Sequence, residues 1–173
     1  MIIDKILLSE NVILQRVQEL GQQITNDYRG QSFMLICVLK GALVFVADLI
    51  RSMDAYPDID FVLISSYGNK TESSGNIDFL RKLTTNIKGQ NILVVDDIID
   101  SGLTLYYLNE YLLSKKPSSL RTCVLLNKPD RRKKHIDIDY VGFDIPDEFV
   151  VGYGLDFCEK YRGLRYIATL RMA

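Results

Sequence analysis

The chain has 173 residues, of which 47% are hydrophobic and 25% are charged, and its formal net charge is −1. This balance excludes an intrinsically disordered chain, and the length is enough for a single domain, residues 1–173, to bury a core without a disulfide or metal staple. A net charge near zero gives no reason to expect nucleic acid or a membrane surface as a partner.

The three cysteines and the single histidine argue against a disulfide framework and against a zinc site. No cysteine belongs to a CxxC pair, and Cys37 and Cys123 lie in apolar runs, so we expect small buried hydrophobic residues in a reducing compartment. The N-terminal sequence MIIDKILLSE lacks the basic leader and long apolar core of a signal peptide. We therefore expect a soluble cytoplasmic protein.

The first half of the chain alternates between helical and strand patterns. Apolar residues recur at helical spacing after Ser9, a residue type that caps helices, and again after Gly41. The continuous apolar run between them is typical of a strand covered on both faces. The predicted elements are a helix from Ser9 to about Tyr28, a strand from Ser32 to Lys40, a helix after Gly41 and a strand from Ile59 to Gly68.

The second half repeats this alternation after a polar segment. Residues 69–78, NKTESSGNID, show no periodicity and predict a long functional loop. The predicted elements that follow are a strand NILVVDDI, a helix TLYYLNEYLLSKK closed by Pro117, the strands SLRTCVLLNK and DYVGFDI, a short strand FVVGYG and a last strand RYIATL.

Strands that alternate with helices predict βαβ units, and therefore a mainly parallel sheet with helices on both faces. In such sheets ligands bind beyond the carboxyl ends of the strands. The polar residues and glycines at these ends are the candidates for a site, and they are Lys40 and Gly41, Ser66 to Gly68, Asp96 to Asp100, and Asn127 and Lys128.

The segment Asp100–Thr104, Asp-Ser-Gly-Leu-Thr, is typical of a small phosphate-binding loop. A glycine-containing turn between a strand and a helix presents backbone N–H groups to one point, and the helix N-terminus adds a partial positive charge. Ser101 and Thr104 add hydroxyl donors. The GxxxxGK pattern of a Walker A loop is absent.

Asp96 and Asp97 stand just before this loop, and three carboxylates beside a phosphate need further partners. A phosphorylated sugar supplies them, because paired carboxylates accept hydrogen bonds from vicinal hydroxyls and help to hold Mg²⁺. Two other interpretations stay open at this point. Asp100 could cap the helix while the other two are merely solvated. Alternatively, ILVVDD could be the first strand of a response-regulator receiver domain, although such domains carry their acidic pair nearer the N-terminus.

Four motifs give the chain a resemblance to a known family. VVDDIIDSGLT is similar to the phosphoribosyl pyrophosphate motif of many phosphoribosyltransferases, and VLKGALVFVADL, SSYGN and DIPDEFVVGYGLD look specific to enzymes for 6-oxopurines. From about Leu7 to Leu170 the chain resembles the short bacterial hypoxanthine-guanine phosphoribosyltransferases. The resemblance implies the type I phosphoribosyltransferase fold: α/β in three layers, a mainly parallel sheet flanked by helices, with a small hood from the N- and C-terminal segments.

The resemblance implies a reaction of purine salvage. A 6-oxopurine and 5-phospho-α-D-ribosyl 1-pyrophosphate (PRPP), with Mg²⁺ as cofactor, would give the nucleoside 5′-monophosphate and pyrophosphate, IMP from hypoxanthine or GMP from guanine. The family forms homodimers and homotetramers. Some proteins of this fold are instead transcriptional or RNA-binding regulators, which usually add a basic face or a further domain.

The resemblance places the phosphoribosyl group between Asp96 and Thr104. Asp96 and Asp97 would face the ribose hydroxyls and Mg²⁺, and Asp100 would lie near N7 of the base as general acid/base. The family often has glutamate at the position of Asp96, so this side chain has a shorter reach. The residues that would hold the 5′-phosphate are Asp100, Ser101, Gly102, Leu103 and Thr104.

The resemblance divides the pyrophosphate site among three segments. Leu39–Gly41 matches a loop in which the peptide bond between the Leu and Lys positions can be cis. Arg162 would also bind pyrophosphate, because a guanidinium fits paired phosphate oxygens. Ser66 and Tyr67 would close over pyrophosphate as part of a flexible loop, about 66–80, and so exclude water from an oxocarbenium-like transition state.

The purine site would lie on the C-terminal third of the chain. Lys128 would donate to O6 of the purine, which favours oxopurines over adenine. Phe149 would stack on the base, although without the resemblance it is better explained as core, and Val150 would meet the base edge through its backbone. Asp156 completes this set and would also ligate Mg²⁺. The implied metal ligands are Asp96, Asp97 and Asp156.

The basic run RRKKH, Arg131–His135, lies between two predicted strands. The sequence pI is near 5.8 and no aromatic residues interleave with the basic ones, so we interpret the run as a solvated loop and not as a nucleic-acid site. His135 is not expected to be catalytic.

Overall fold

The computed structural model describes residues 2–64 and 79–171. Nine strands and three α-helices lie in these ranges, together with a 3-10 helix at Pro129–Arg131. In chain order they are β1 (Ile2–Leu8), α1 (Glu10–Asp27), β2 (Met34–Leu39), α2 (Leu43–Arg51), β3 (Asp58–Ile64), β4 (Phe79–Arg81), β5 (Asn91–Ile99), α3 (Leu103–Ser114), β6 (Ser119–Asn127), β7 (Tyr140–Asp144), β8 (Val150–Val151) and β9 (Ile167–Arg171).

A six-stranded sheet in the order β4-β3-β2-β5-β6-β7 forms the centre of the molecule. Its strands run parallel except β4, which pairs antiparallel with β3. In register, Met34 of β2 lies between Asp58 of β3 and Ile92 of β5. The carboxyl ends of β2, β3, β5, β6 and β7 therefore share one edge, as the alternation of strands and helices predicts.

The helices cover the two faces of this sheet. On β2, Leu35 and Cys37 face the layer of α1 and α2, whereas Ile36 and Val38 face the layer of α3. All four side chains are buried, and burial of one such aliphatic side chain contributes about 1.5–3 kcal/mol to folding. The predicted three-layer α/β fold is confirmed.

A second, antiparallel sheet joins the two ends of the chain in the order β1-β9-β8. Ile3 of β1 pairs with Leu170 of β9, and Val150 of β8 pairs with Thr169. This small sheet corresponds to the hood that the resemblance implies. It holds the segment just after Phe149 against the rest of the molecule.

Several predicted boundaries differ from the structure. Ser9 is the N-cap residue of α1, but its side chain makes no capping hydrogen bond. Neither β1 nor β4 was predicted as a strand, because β1 is mostly exposed and β4 has three residues. The strand predicted from Ile59 to Gly68 is described from Asp58 to Ile64, and the predicted polar loop 69–78 lies outside the described residues.

Two sequence expectations concern the environment of the chain. Cys37 and Cys123 are buried as predicted, whereas Cys158 is exposed, which corrects the expectation for that residue. Among the helices in the described ranges, none has the length and apolar character needed to cross a membrane.

Candidate active site

A cavity of about 590 Å³ lies at the carboxyl edge of the main sheet. It is formed where β2, β5 and the segment after β8 meet, and it brings together residues that are far apart in sequence. The polar residues and glycines that line it are Lys40, Gly41, Asp96, Asp97, Asp100, Ser101, Gly102, Thr104, Asp156, Glu159 and Arg162.

The loop between β5 and α3 forms one wall of the cavity. Gly102 is the N-cap residue of α3 and has a φ of 80°, a left-handed conformation that favours glycine. Ser101 Oγ accepts a hydrogen bond from the backbone N–H of Leu103 at 3.4 Å. The first turn of α3 contains no acidic residue, so the helix N-terminus keeps its attraction for an anion. The interpretation of Asp100 as a plain helix cap is wrong, because Gly102 occupies that position.

The acidic pair Asp96–Asp97 lies at the floor of the site. Asp96 is 6% exposed, and its Oδ1 accepts a hydrogen bond from the backbone N–H of Asp97 at 2.9 Å. Burial raises the pKa of both carboxyl groups, and the charge of Asp97 raises the pKa of Asp96 further. The alternative that both are merely solvated is wrong for Asp96. Buried carboxylates of this kind require hydroxyl donors or a cation.

Leu39, Lys40 and Gly41 follow β2 and reach the acidic pair. The Leu39–Lys40 peptide bond is cis. A side chain at Gly41 would collide with the Asp97 carboxylate, and a side chain at Gly154 would collide with the Gly41 carbonyl. Glycine at both positions therefore allows the segment after β8 to approach the loop after β2.

Arg162 and Asp156 form the opposite wall. Arg162 Nη2 lies 2.7 Å from Asp156 Oδ1, and Arg162 Nη1 donates to the Gly154 carbonyl at 2.8 Å. Asp156 Oδ2 accepts the backbone N–H of Glu159 at 2.9 Å. These contacts fix the guanidinium in the lining of the cavity.

Glu159 is a cavity residue that the sequence interpretation missed. Its Oε1 lies 3.0 Å from Lys40 Nζ, and its Oε2 lies 3.4 Å from Arg162 Nη2. Hydrogen bonds from Lys40 and Arg162 lower the pKa of the Glu159 carboxyl group. One carboxylate thus contacts both cations that the resemblance assigns to pyrophosphate. No local pattern in DFCEKYR separates this acid from an ordinary surface residue.

The predicted purine-binding residues Lys128, Phe149 and Val150 lie beside this cavity and outside its lining. Lys128 is 6% exposed, and its backbone N–H donates to the Ile99 carbonyl at 3.0 Å, which attaches it to the end of β5. Phe149 is 53% exposed, with its ring edge-on to Phe157 at 5.8 Å. Its interpretation as plain core is wrong, since about half of the residue is exposed. Val150 is buried.

Asp100 has a cationic neighbour that the sequence interpretation did not include. Arg131 Nε lies 2.8 Å from Asp100 Oδ1. The interpretation of RRKKH as a solvated loop is correct for His135, which is exposed and contacts Asp137, but it is wrong for Arg131 and Arg132. A side chain at Gly102 would come within 2.9 Å of the Arg132 side chain.

Among the described residues, no three metal-ligating side chains converge on one point. Mg²⁺ commonly keeps several waters and is held by one or two carboxylates together with substrate phosphates, so the buried pair Asp96–Asp97 fits such an ion. Asp156 is already paired with Arg162, so its oxygens would have to contact both the guanidinium and the ion. Ser66 and Tyr67, predicted to close over pyrophosphate, lie outside the described residues.

The chain matches the family model of the phosphoribosyl transferase domain over residues 5–158. It belongs to the phosphoribosyltransferase family. Hypoxanthine-guanine phosphoribosyltransferase of Bacillus subtilis is 50% identical over 171 residues, which cover 99% of this chain and 95% of that protein. The enzyme of the same name from Mycobacterium tuberculosis is 50% identical over 174 positions, covering 97% of this chain and 86% of that protein.

Solved phosphoribosyltransferase structures agree with the fold described above. A hypoxanthine-guanine phosphoribosyltransferase from Bacillus anthracis, with a HEPES molecule in its active site, is 49% identical and superposes with a TM-score of 0.93 over 98% of this chain and 100% of that chain. A hypoxanthine phosphoribosyltransferase from Staphylococcus aureus is 44% identical with a TM-score of 0.93. The resemblance drawn from the motifs is confirmed, and the receiver-domain interpretation is wrong.

Proposed function

We propose that this phosphoribosyltransferase is a purine-salvage enzyme that transfers the 5-phosphoribosyl group of PRPP to N9 of hypoxanthine or guanine. The products are IMP or GMP and pyrophosphate. The observation that carries the proposal is that one cavity is lined by three features. They are the loop Asp100–Thr104, the acidic pair Asp96–Asp97, and the cations Lys40 and Arg162. The names of relatives at 50% identity support the choice of purine.

The phosphoribosyl group is held by the end of β5 and the start of α3. The backbone N–H groups and hydroxyls from Ser101 to Thr104 bind the 5′-phosphate, aided by the partial positive charge of the helix N-terminus. Asp96 and Asp97 accept hydrogen bonds from the ribose hydroxyls, which satisfies carboxylates that burial would otherwise penalise.

The pyrophosphate group lies between Lys40 and Arg162 and is sealed from water by Ser66 and Tyr67. Binding of this group displaces Glu159 from the two cations, because a diphosphate offers each of them more charge than one carboxylate does. Exclusion of water protects an electron-poor C1′ from hydrolysis while the bond to pyrophosphate breaks.

The purine lies between Phe149, which stacks on it, and Lys128, which donates to its O6. In the transfer step the N9–C1′ bond forms, and the C1′–O bond breaks with its electron pair leaving on pyrophosphate. The proton on N7 passes to the Asp100 carboxylate, which acts as general base and, in the reverse direction, as general acid. The Val150 backbone reads the edge of the base.

Magnesium dependence is part of the proposal. Asp96, Asp97 and Asp156 would hold Mg²⁺ together with substrate oxygens, and the bound ion would neutralise the charge that develops on pyrophosphate. We also propose a cytoplasmic homodimer or homotetramer. The support for an interface is a group of exposed apolar side chains on β1 and α1, namely Ile2, Ile3, Ile6, Val12 and Leu14.

The test is release of pyrophosphate from PRPP and Mg²⁺ with hypoxanthine, guanine and xanthine in turn. We expect turnover with at least one 6-oxopurine and none with adenine, since adenine cannot accept the Lys128 hydrogen bond. Absence of turnover with every 6-oxopurine, together with tight binding of nucleotide, would instead favour a nucleotide-sensing regulator of the same fold.

A further inference from the structure

The basic run Arg131–His135 lies directly against the candidate active site. Arg131 ends the 3-10 helix Pro129–Arg131. Its Nε lies 2.8 Å from Asp100 Oδ1, and its Nη1 lies 3.2 Å from Asp147 Oδ1. One guanidinium therefore joins the proposed general acid/base to a carboxylate that stands two residues before Phe149.

Asp147 is itself shared with a second cation. Its Oδ1 lies 3.8 Å from Lys128 Nζ. Charges of alternating sign thus form a row in the order Asp100, Arg131, Asp147 and Lys128, and a purine contact is proposed for both ends of that row. A planar guanidinium presents donors in two directions, so it can hold two carboxylates in a fixed relation, which a lysine cannot do.

The backbone around Arg131 is anchored to the phosphate-type loop. The backbone N–H groups of Lys133 and Lys134 donate to the Ser101 carbonyl at 2.9 Å and 3.3 Å. A side chain at Gly102 would come within 2.9 Å of the Lys134 carbonyl, so the two segments are in direct contact. This anchoring restricts movement of Arg131 relative to the loop Asp100–Thr104.

Folding stability alone does not account for the row of charges. The side chains of Arg131 and Asp147 are 50% and 48% exposed, and exposed ion pairs add little to the free energy of unfolding. Asp100 Oδ1, by contrast, is a buried atom that forms no aligned hydrogen bond. The guanidinium 2.8 Å away is therefore positioned to set the direction of this oxygen.

We propose that Arg131 is a positioning residue for Asp100. It keeps the Asp100 carboxylate turned towards the purine, so that it is ready to accept the N7 proton, and it couples that carboxylate to Asp147 at the start of the purine-binding segment. The inference rests on the proposed function, and it adds Arg131 and Asp147 to the residues that determine the rate.

The test compares Arg131→Met, Arg131→Lys and the control Arg165→Met. Arg165 is 80% exposed and pairs with Glu10, away from the cavity. We expect Arg131→Met to lower kcat by about tenfold while KM for PRPP changes less than about twofold. Arg131→Lys should recover part of the loss, because an ammonium restores the charge but not the double contact. Arg165→Met should behave as the unchanged protein.

A double-mutant comparison separates positioning from a general structural effect. In protein that already carries Asp100→Asn, the further change Arg131→Met should cost less than about twofold in kcat, since the group that Arg131 positions has lost its charge. A structural role would lower kcat by the same factor in both backgrounds. Thermal melting of each variant, compared with Arg165→Met, shows whether the fold is retained.

The proposal is overturned if Arg131→Met keeps the original kcat, or if its loss is as large in the Asp100→Asn background. It is also overturned if Arg131→Lys recovers nothing while melting at the same temperature as the original protein. Failure of the unsubstituted protein to turn over any 6-oxopurine would refute the proposed function instead. The two results are therefore distinguishable in one set of assays.

Discussion

Asp96, Asp97 and Asp100 lie within five positions of one another and have three different surroundings. Asp96 is buried, and burial raises its pKa well above the usual range. Asp97 contacts the glycine after β2, and Asp100 faces a guanidinium. The first two suit hydroxyl or metal ligands, whereas the third has a neighbour that can hold its carboxylate in one direction. The division of roles follows from these contacts.

Replacement of Asp100 by Asn should lower kcat by at least about tenfold, because the amide cannot accept the N7 proton. Steady-state kinetics with hypoxanthine and PRPP measure this. Asp54→Asn is a matched control, since Asp54 precedes β3 at the amino edge of the sheet. If Asp100→Asn kept the original kcat, the general acid/base would have to be another group.

Replacement of Lys128 by Met should weaken purine binding by about tenfold or more, the usual cost of a lost hydrogen bond from a charged group. Methionine keeps the buried stem, so packing is largely preserved, and Lys128→Ala shows the added effect of lost packing. Binding of purine and of PRPP is measured separately by calorimetry. Equal losses for both ligands would contradict the contact with O6.

The thiols provide a prediction that is independent of the reaction. Cys37 and Cys123 are buried, and burial raises the pKa of Cys37 to about 12, so their thiolates are scarce at pH 8. We expect one thiol per native chain, Cys158, to react with a colorimetric disulfide reagent at pH 8, and three in denaturant. Loss of the fast reaction in Cys158→Ser identifies the residue, and two fast thiols in that variant would contradict the assignment.

At the scale of the elements, the end of β5, the loop after β2 and the segment after β8 converge. They can do so because two glycines let the backbone approach its neighbours closely. The glycine at position 41 admits the Asp97 carboxylate, and the glycine at position 154 admits the Gly41 carbonyl. The segment from Asp156 to Arg162 then reaches the loop after β2. Its residue Glu159 pairs with Lys40 and Arg162, which would make this segment a competitor for the proposed pyrophosphate group.

Replacement of Glu159 by Gln should lower KM for PRPP by about two- to fivefold, because the loss of an exposed ion pair frees Lys40 at small cost, while Arg162 keeps its contact with Asp156. The purine KM should stay within about twofold. Glu110→Gln, on the exposed side of α3, is the control. An increase in KM for PRPP would show that Glu159 assists binding and does not compete with it.

At the scale of the whole molecule, the proposed contacts with the substrates are divided between the two sheets. The main sheet carries, at its carboxyl edge, the cavity residues proposed to bind the phosphoribosyl and pyrophosphate groups. The small sheet joins β1 to β9 and β9 to β8, and the Phe149 carbonyl accepts the backbone N–H of Leu170 at 3.3 Å. The N-terminal strand therefore supports the proposed purine side of the site through β9, and Lys5 Nζ on β1 also lies 3.0 Å from Oε1 of Glu148, the residue before Phe149.

Deletion of residues 2–8 should raise the purine KM by a larger factor than the KM for PRPP, because β9 loses one neighbour and holds β8 less firmly. The melting temperature should fall by at least about 2–4 °C, which corresponds to roughly 1 kcal/mol for a chain of this size. Ser9→Ala is the control and should melt within about 1 °C of the original, since Ser9 makes no side-chain cap. Equal increases in both KM values would contradict the proposal that the small sheet supports the purine site and the main sheet the PRPP site.

Local patterns in the sequence determined the α/β class, the order of the helices and main strands, and the loop from Asp100 to Thr104. Periodicity and turn chemistry act over a few residues, so they can be read without knowing the fold. The position of Lys40 and Lys128 at strand ends marked them as candidates, whereas Arg162 and the role of each residue came from the resemblance.

Tertiary structure alone decided the partners of these residues. Glu159 meets Lys40 across a separation of 119 residues, and Arg131 meets Asp100 and Asp147 through the turn after β6. The exposure of Phe149 and the pairing of β1 with β9 were also decided by the tertiary structure alone. Such contacts depend on how distant segments pack, and the free energy of that packing comes from the whole core and leaves no pattern in any short stretch of sequence.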